Sequence, residues 1–229
     1  MCGKWQVVCM LLVMSLLCGC SGEIHTSVSA LPEPEQLQSV VSLSFPITMA
    51  NSTLVIEEMM NYYGSYWEDG SGDLVEGVAG LMIYNPTDRM IEFASFVVRQ
   101  AEESLYFFVH HLPPMSRCLV LEYKRMPCQP QDVTECREIC VRWDYQELSR
   151  EQVDYVGLGP LMTIINRDGR TIDHVTVRYK QYVKEGDYYL GGVVYSAHLF
   201  FLQPEERRTI QPEHYKAGYA RIVAVELEG

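Results

Sequence analysis

Apolar residues recur at every second position over several short stretches, the period of a strand with one buried face. Ala94, Phe96 and Val98 fall on one side of such a stretch, with Ser95 and Arg99 on the other. Val175, Val177 and Tyr179 repeat the arrangement, with Thr176 and Lys180 opposite. Apolar runs at 78–84 and 161–165 read as buried strands. Many short strands punctuated by Asn, Gly and Pro predict an all-β chain of sandwich or barrel type. Two segments need separate treatment. In 54–67, residues Ile56, Met59, Met60, Tyr63, Tyr66 and Trp67 fit a helical face, but the repeat described next favours a strand. Ile139, Val141, Trp143 and Tyr145 alternate, so 137–145 reads as the entry strand of a second unit.

The chain also resembles itself. At an offset of 81 residues, Asn85, Arg89 and Ile91 lie over Asn166, Arg170 and Ile172. Further on the offset becomes 90, placing Leu112 and Pro114 over Leu202 and Pro204, and Arg117 over Arg207. The nine extra residues fall in a hairpin of the second copy, around 184–187 and Gly191-Gly192, where insertion is tolerated. Two copies of this length suit two small immunoglobulin-like β-sandwiches in tandem, with domains expected at 53–135 and 136–229.

Composition changes the picture mainly at the N-terminus. The net charge of −12 argues against nucleic acid as a partner. The ten acids between residues 21 and 88 meet no Lys or Arg, whereas the remainder is nearly balanced. Residues 20–52, rich in Ser, Pro and Gln, read as an acidic flexible tether with a reach of about 30 Å. Before it, Lys4 precedes an apolar run from Trp5 to Leu17, which is too short to span a bilayer with ease and has the form of a secretory signal at 1–19.

That segment ends in Leu17-Cys18-Gly19-Cys20, which resembles the bacterial lipobox. The resemblance implies diacylglyceryl transfer to the Cys20 thiol, cleavage before it, and a protein held outside the cytoplasm by its acyl chains (palmitate-type lipidation). Two chains matter, because one gives only marginal membrane binding. The repeats carry a second resemblance. Asn85 to Ile91, an aromatic strand and Leu112-Pro113-Pro114 in one copy, with Asn166 to Ile172 and Leu202-Gln203-Pro204 in the other, are similar to the FxLYD-like modules of Gram-positive lipoproteins. Such modules often carry Gly after the Pro; Met115 and Glu205 stand there. The resemblance implies extracytoplasmic binding or spacer modules without catalysis.

Four cysteines remain after Cys20: Cys118, Cys128, Cys136 and Cys140, an even number that permits disulfides outside the cytoplasm. On one strand Cys136 and Cys140 would lie about 13 Å apart, too far to bond to each other, and the four match no usual zinc spacing. His110 and His111 face opposite sides of a strand and are read as packing or surface residues. In Glu68-Asp69-Gly70-Ser71-Gly72-Asp73, oxygen ligands stand at alternate positions as in calcium loops, but Gly80 stands where the required Glu at the twelfth position would be, leaving a solvated loop. Tyr62, Tyr63, Tyr66 and Trp67 serve either as core or as an aromatic platform. No phosphate loop or nucleophile elbow is present. The expectation is a non-catalytic binding or scaffold lipoprotein without cofactor or metal. Its partners are the membrane, through the lipid anchor, and an envelope protein or glycan. The rivals are an envelope-acting enzyme or accessory subunit and a thiol or metal protein.

Overall fold

The computed structural model describes residues 43–143 and 152–228. The signal, Cys20, most of the tether and Tyr145 lie outside the described residues. The rest is all-β, as the alternation predicts, with strands in three sheets consistent with a β-sandwich. Thirteen strands are described: β1 Ile47–Thr48, β2 Val55–Ser65, β3 Leu74–Asn85, β4 Ile91–Gln100, β5 Glu103–Leu112, β6 Ser116–Leu121, β7 Val133–Trp143, β8 Val153–Leu158, β9 Leu161–Asn166, β10 Ile172–Val183, β11 Tyr188–Leu202, β12 Arg207–Ile210 and β13 Ala220–Glu228. The ambiguous 54–67 is therefore a strand.

One pairing scheme occurs twice. The order β2-β3-β6 with β7-β4-β5 recurs as β8-β9-β12 with β13-β10-β11. In each set the inner faces of two sheets enclose a core. Ile56, Leu81, Ile83 and Val120 meet Phe96, Val98, Leu105 and Phe107 in the first, all without solvent exposure. Met162 and Ile164 meet Val175, Val177 and Leu199 in the second. Burying a Phe or Leu side chain contributes about 1.5–3 kcal/mol.

The corner that carries the sequence repeat is the same in both sets. Asn85 is fully buried, and its amide donates to the carbonyls of Arg89 (2.8 Å), Leu112 (3.3 Å) and Pro113 (3.0 Å). Asn166, equally buried, donates to those of Arg170 (2.8 Å) and Leu202 (2.9 Å). Met115 (φ 51°) and Glu205 (φ 56°) both occupy the left-handed region that glycine adopts without strain.

Two expectations need correction. The strand at 137–145 does not open the second set. It is the end of β7, which pairs with β4 along its length, so the 135/136 boundary falls inside a strand. Its alternation is also broken. Register shifts against β4, and Ile139 is the extra residue, 54% exposed, between Glu138 paired with Phe96 and Cys140 paired with Ser95. A bulge of this kind moves every later side chain to the opposite face. The flexible tether, in turn, cannot extend to residue 52. Leu43, Phe45 and Ile47 pack against the first core, Met49 is buried, and β1 pairs with β2. The odd positions 43, 45, 47 and 49 are all apolar, a period-two pattern that the Ser and Pro content obscured.

Candidate functional site at the seam between the two sets

The hairpin that lengthens the second copy joins the sets. Tyr179 pairs with Tyr195, but Gln181 pairs with Leu190, so residues 191–194 loop out opposite Lys180. Beyond this bulge, Tyr189 and Leu190 run parallel to Cys118 and Leu119 of β6. The result is one seven-stranded sheet, β1-β2-β3-β6-β11-β10-β13. Tyr182, Tyr189 and Val223 of the second set consequently pack into the first core. On the opposite face of the same sheet Tyr66, Met82, Leu119 and Leu121 cluster with Tyr188 and Leu190.

Two charged side chains lock this seam. Lys180 has no exposed surface, and its ammonium donates to the carbonyls of Gly192 (3.0 Å), Val193 (2.7 Å) and, across the seam, His110 (3.0 Å). All three of its protons are thus placed. Glu68 comes from the first set. Its Oε1 accepts from the amides of Leu121 (2.7 Å) and Gly192 (2.9 Å), and its Oε2 accepts from Gly192 at 2.7 Å. Gly192 is required here because a Cβ would stand 1.6 Å from the Phe108 carbonyl oxygen.

Burial raises the Glu68 carboxyl to about 7, against the opposing pull of the amides and Lys180. Burial also lowers Lys180, with Cys118 and Glu68 acting the other way. Burial, then the charges of Lys180 and Arg142, lower His110. A pocket of about 160 Å³ opens over this group, lined by Glu68, Phe93, Phe108, His110, Tyr123 and Val193 among others. The rings make a connected wall: Phe93 is 4.9 Å from His110 and 6.4 Å from Phe108, and Phe108 is 5.7 Å from Tyr123, centroid to centroid. The wall stands over one carboxyl, whose oxygens accept from the amides of Leu121 and Gly192.

The four cysteines, whose even number permits disulfides, stand as free thiols in this structure. Cys118 is fully buried, and its Sγ lies 3.3 Å from the Gly191 carbonyl; burial pushes the thiol up to about 12. Burial raises Cys128 to about 11, and burial, then Glu135, does the same for Cys136. Thiols at such values carry little thiolate at neutral pH and are weak nucleophiles. The bulge at Ile139 explains why Cys136 packs against the first core while Cys140 is exposed. Loop 68–73 is held by its own bonds and by Arg125, whose guanidinium reaches Asp69 (2.6 Å) and Asp73 (3.4 Å). Of the aromatic group, Tyr66 is buried and donates to the Glu122 and Tyr123 carbonyls, while Tyr63 is 69% exposed.

Glu68, Lys180 and Gly192 were not singled out from the sequence. Glu68 sits in a loop that reads as solvated, and Lys180 on the strand face where its counterpart Arg99 is exposed. The available clue was the nine-residue insertion itself. Compared with models of protein families, with curated proteins and with solved structures, the chain matches none.

Proposed function

We propose that this chain is an extracytoplasmic lipoprotein, held to the membrane through acylated Cys20, whose two immunoglobulin-like sandwiches act as one rigid, non-catalytic binding or scaffold body. The observation that carries the reading is the seam. Its buried ammonium and half-buried carboxyl are spent on main-chain hydrogen bonds from both sets, which is how a fold is braced, and the ring-lined pocket beside them is left as a contact surface. The Leu17-Cys18-Gly19-Cys20 sequence supports the anchor, and the recurring Asn corner supports the tandem modules.

The test is isolation of the protein and its Cys20→Ala variant from detergent-solubilised cells, with mass spectrometry of the N-terminus and of copurifying proteins. The reading expects a diacylated Cys20 and neighbours lost when Phe93 and Tyr123 are both replaced by Ala. An unmodified terminus removes the anchor, and neighbours that survive the double substitution remove the pocket. A second reading has a specific support: a carboxyl near 7 beside His110 is the property of a general acid. It expects Glu68→Gln to abolish a hydrolytic activity on envelope material while leaving the fold intact.

A further inference from the structure

The geometry points to a binding site for a divalent transition-metal ion of the Zn²⁺ class on the outer face of the second set, held by His174 and His198. His174 lies on β10, and the register sets His198 of β11 opposite Thr176, two residues along. This diagonal brings His174 Nε2 and His198 Nδ1 to 3.1 Å. Two nitrogens bound at about 2.0–2.1 Å to one metal stand about 2.9 Å apart at a right angle and about 3.4 Å apart at a tetrahedral one. The pair already spans the distance that one ion requires. The Thr176 hydroxyl lies 3.4 and 3.2 Å from the same two nitrogens and places an oxygen beside them.

The far sides of both rings are held as in metal-binding histidines, whose second nitrogen is almost always fixed by a polar partner. His174 Nδ1 is 3.2 Å from Glu228 Oε2, and His198 Nε2 is 3.2 Å from Ser196 Oγ. With His174 Nδ1–H donating to Glu228 Oε2, its Nε2 carries a bare lone pair. The Ser196 hydroxyl both donates and accepts, so it supports either tautomer of His198. Without an ion, His198 Nδ1–H donates to His174 and Ser196 donates to Nε2. With an ion, the proton resides on Nε2, Ser196 accepts it, and Nδ1 is bare; no proton leaves the protein. Ion binding would turn the exposed His198 ring about its last torsion toward Nε2 of His174, whose own ring stays in place. Phe200 stacks on His174 at 4.6 Å and 4°, which holds that ring's plane.

Among the described residues no three His, Cys, Asp or Glu side chains gather into a metal site. The ion would therefore have two imidazoles, a neighbouring hydroxyl and water, an open site of moderate affinity. The inference is independent of both the seam pocket and the lipid anchor.

Titration of the protein with Zn²⁺ alone, followed by calorimetry, tests it. One ion per chain is expected, with a Kd of roughly 1–100 μM. His174→Ala and His198→Ala should each weaken binding at least about 30-fold, and Glu228→Gln about 10-fold through loss of the orienting carboxylate. His110→Ala should leave it unchanged. These positions face solvent, and an unshifted thermal midpoint verifies that each variant folds. A Kd weaker than about 1 mM overturns the site. So does tight binding that survives both histidine substitutions, which would place the ion elsewhere.

Discussion

Arg99 and Lys180 hold the same place in the two repeats, each a basic residue on the outer face of its central strand. Arg99 is largely in water, 3.5 Å from Glu135. Lys180 is sealed from water and bonded to three carbonyls. Nothing in the strands differs enough to account for this. The difference is made by the partner strand, which in the second set bulges at 191–194 and in the first does not bulge against β4. A short insertion has turned an ordinary surface position into the fastening between two sets of strands. Local pattern therefore fixes which face a side chain takes, while its environment is decided by a distant hairpin.

The largest test of this contrast is Lys180→Met. Removing the ammonium leaves three carbonyls in the seam without their donor and takes away the positive charge near Glu68, and stranding acceptors in this way costs about 3–5 kcal/mol in all. Chemical denaturation should show that loss. Next come the features the sets share. Asn85→Ala and Asn166→Ala each strand buried carbonyls, so each should cost about 2–3 kcal/mol, with Asn85 the larger because it serves three carbonyls rather than two.

The seam also carries a pH dependence. The folded-state value of Glu68 lies above its unfolded one, so between about pH 4.5 and 7 the folded protein keeps a proton that the unfolded chain has released. Its contribution makes stability fall as pH rises through that window and level off above it. Discounted for the solvent at the pocket mouth, the change is about 1–2 kcal/mol, and Glu68→Gln should flatten it in denaturation curves measured across the window. Met115→Gly should stabilise by roughly 1 kcal/mol, read as a raised thermal midpoint, because it relieves a left-handed conformation at an exposed position. Smallest of all is Arg99→Ala, expected to cost no more than about 0.5 kcal/mol in the same denaturation assay; a loss comparable to that of Lys180→Met would erase the contrast.

Much of the architecture was legible in the residues. The offset of 81 placed Asn85 over Asn166, and both turn out to be the buried brace of the same corner. Met115 and Glu205, which stand after the Pro of each copy, are both positions of positive φ. The alternating triplets at 94–98 and 175–179 are buried as a set. What escaped was non-local or irregular. A single extra residue at Ile139 mimicked a clean alternation while changing the face, and β7 was assigned to the wrong set because alternation does not say which strand is the neighbour. The burial of Lys180 and the partial burial of Glu68 depend on a pairing of β6 with β11 across some seventy residues, for which periodicity offers no sign.

Because β11 is hydrogen-bonded in both halves, no linker separates them at this point. A force pulling the two halves apart would load those bonds along the strand rather than bend a joint. The pair should then yield as one cooperative event, a property suited to a strut more than to beads on a string.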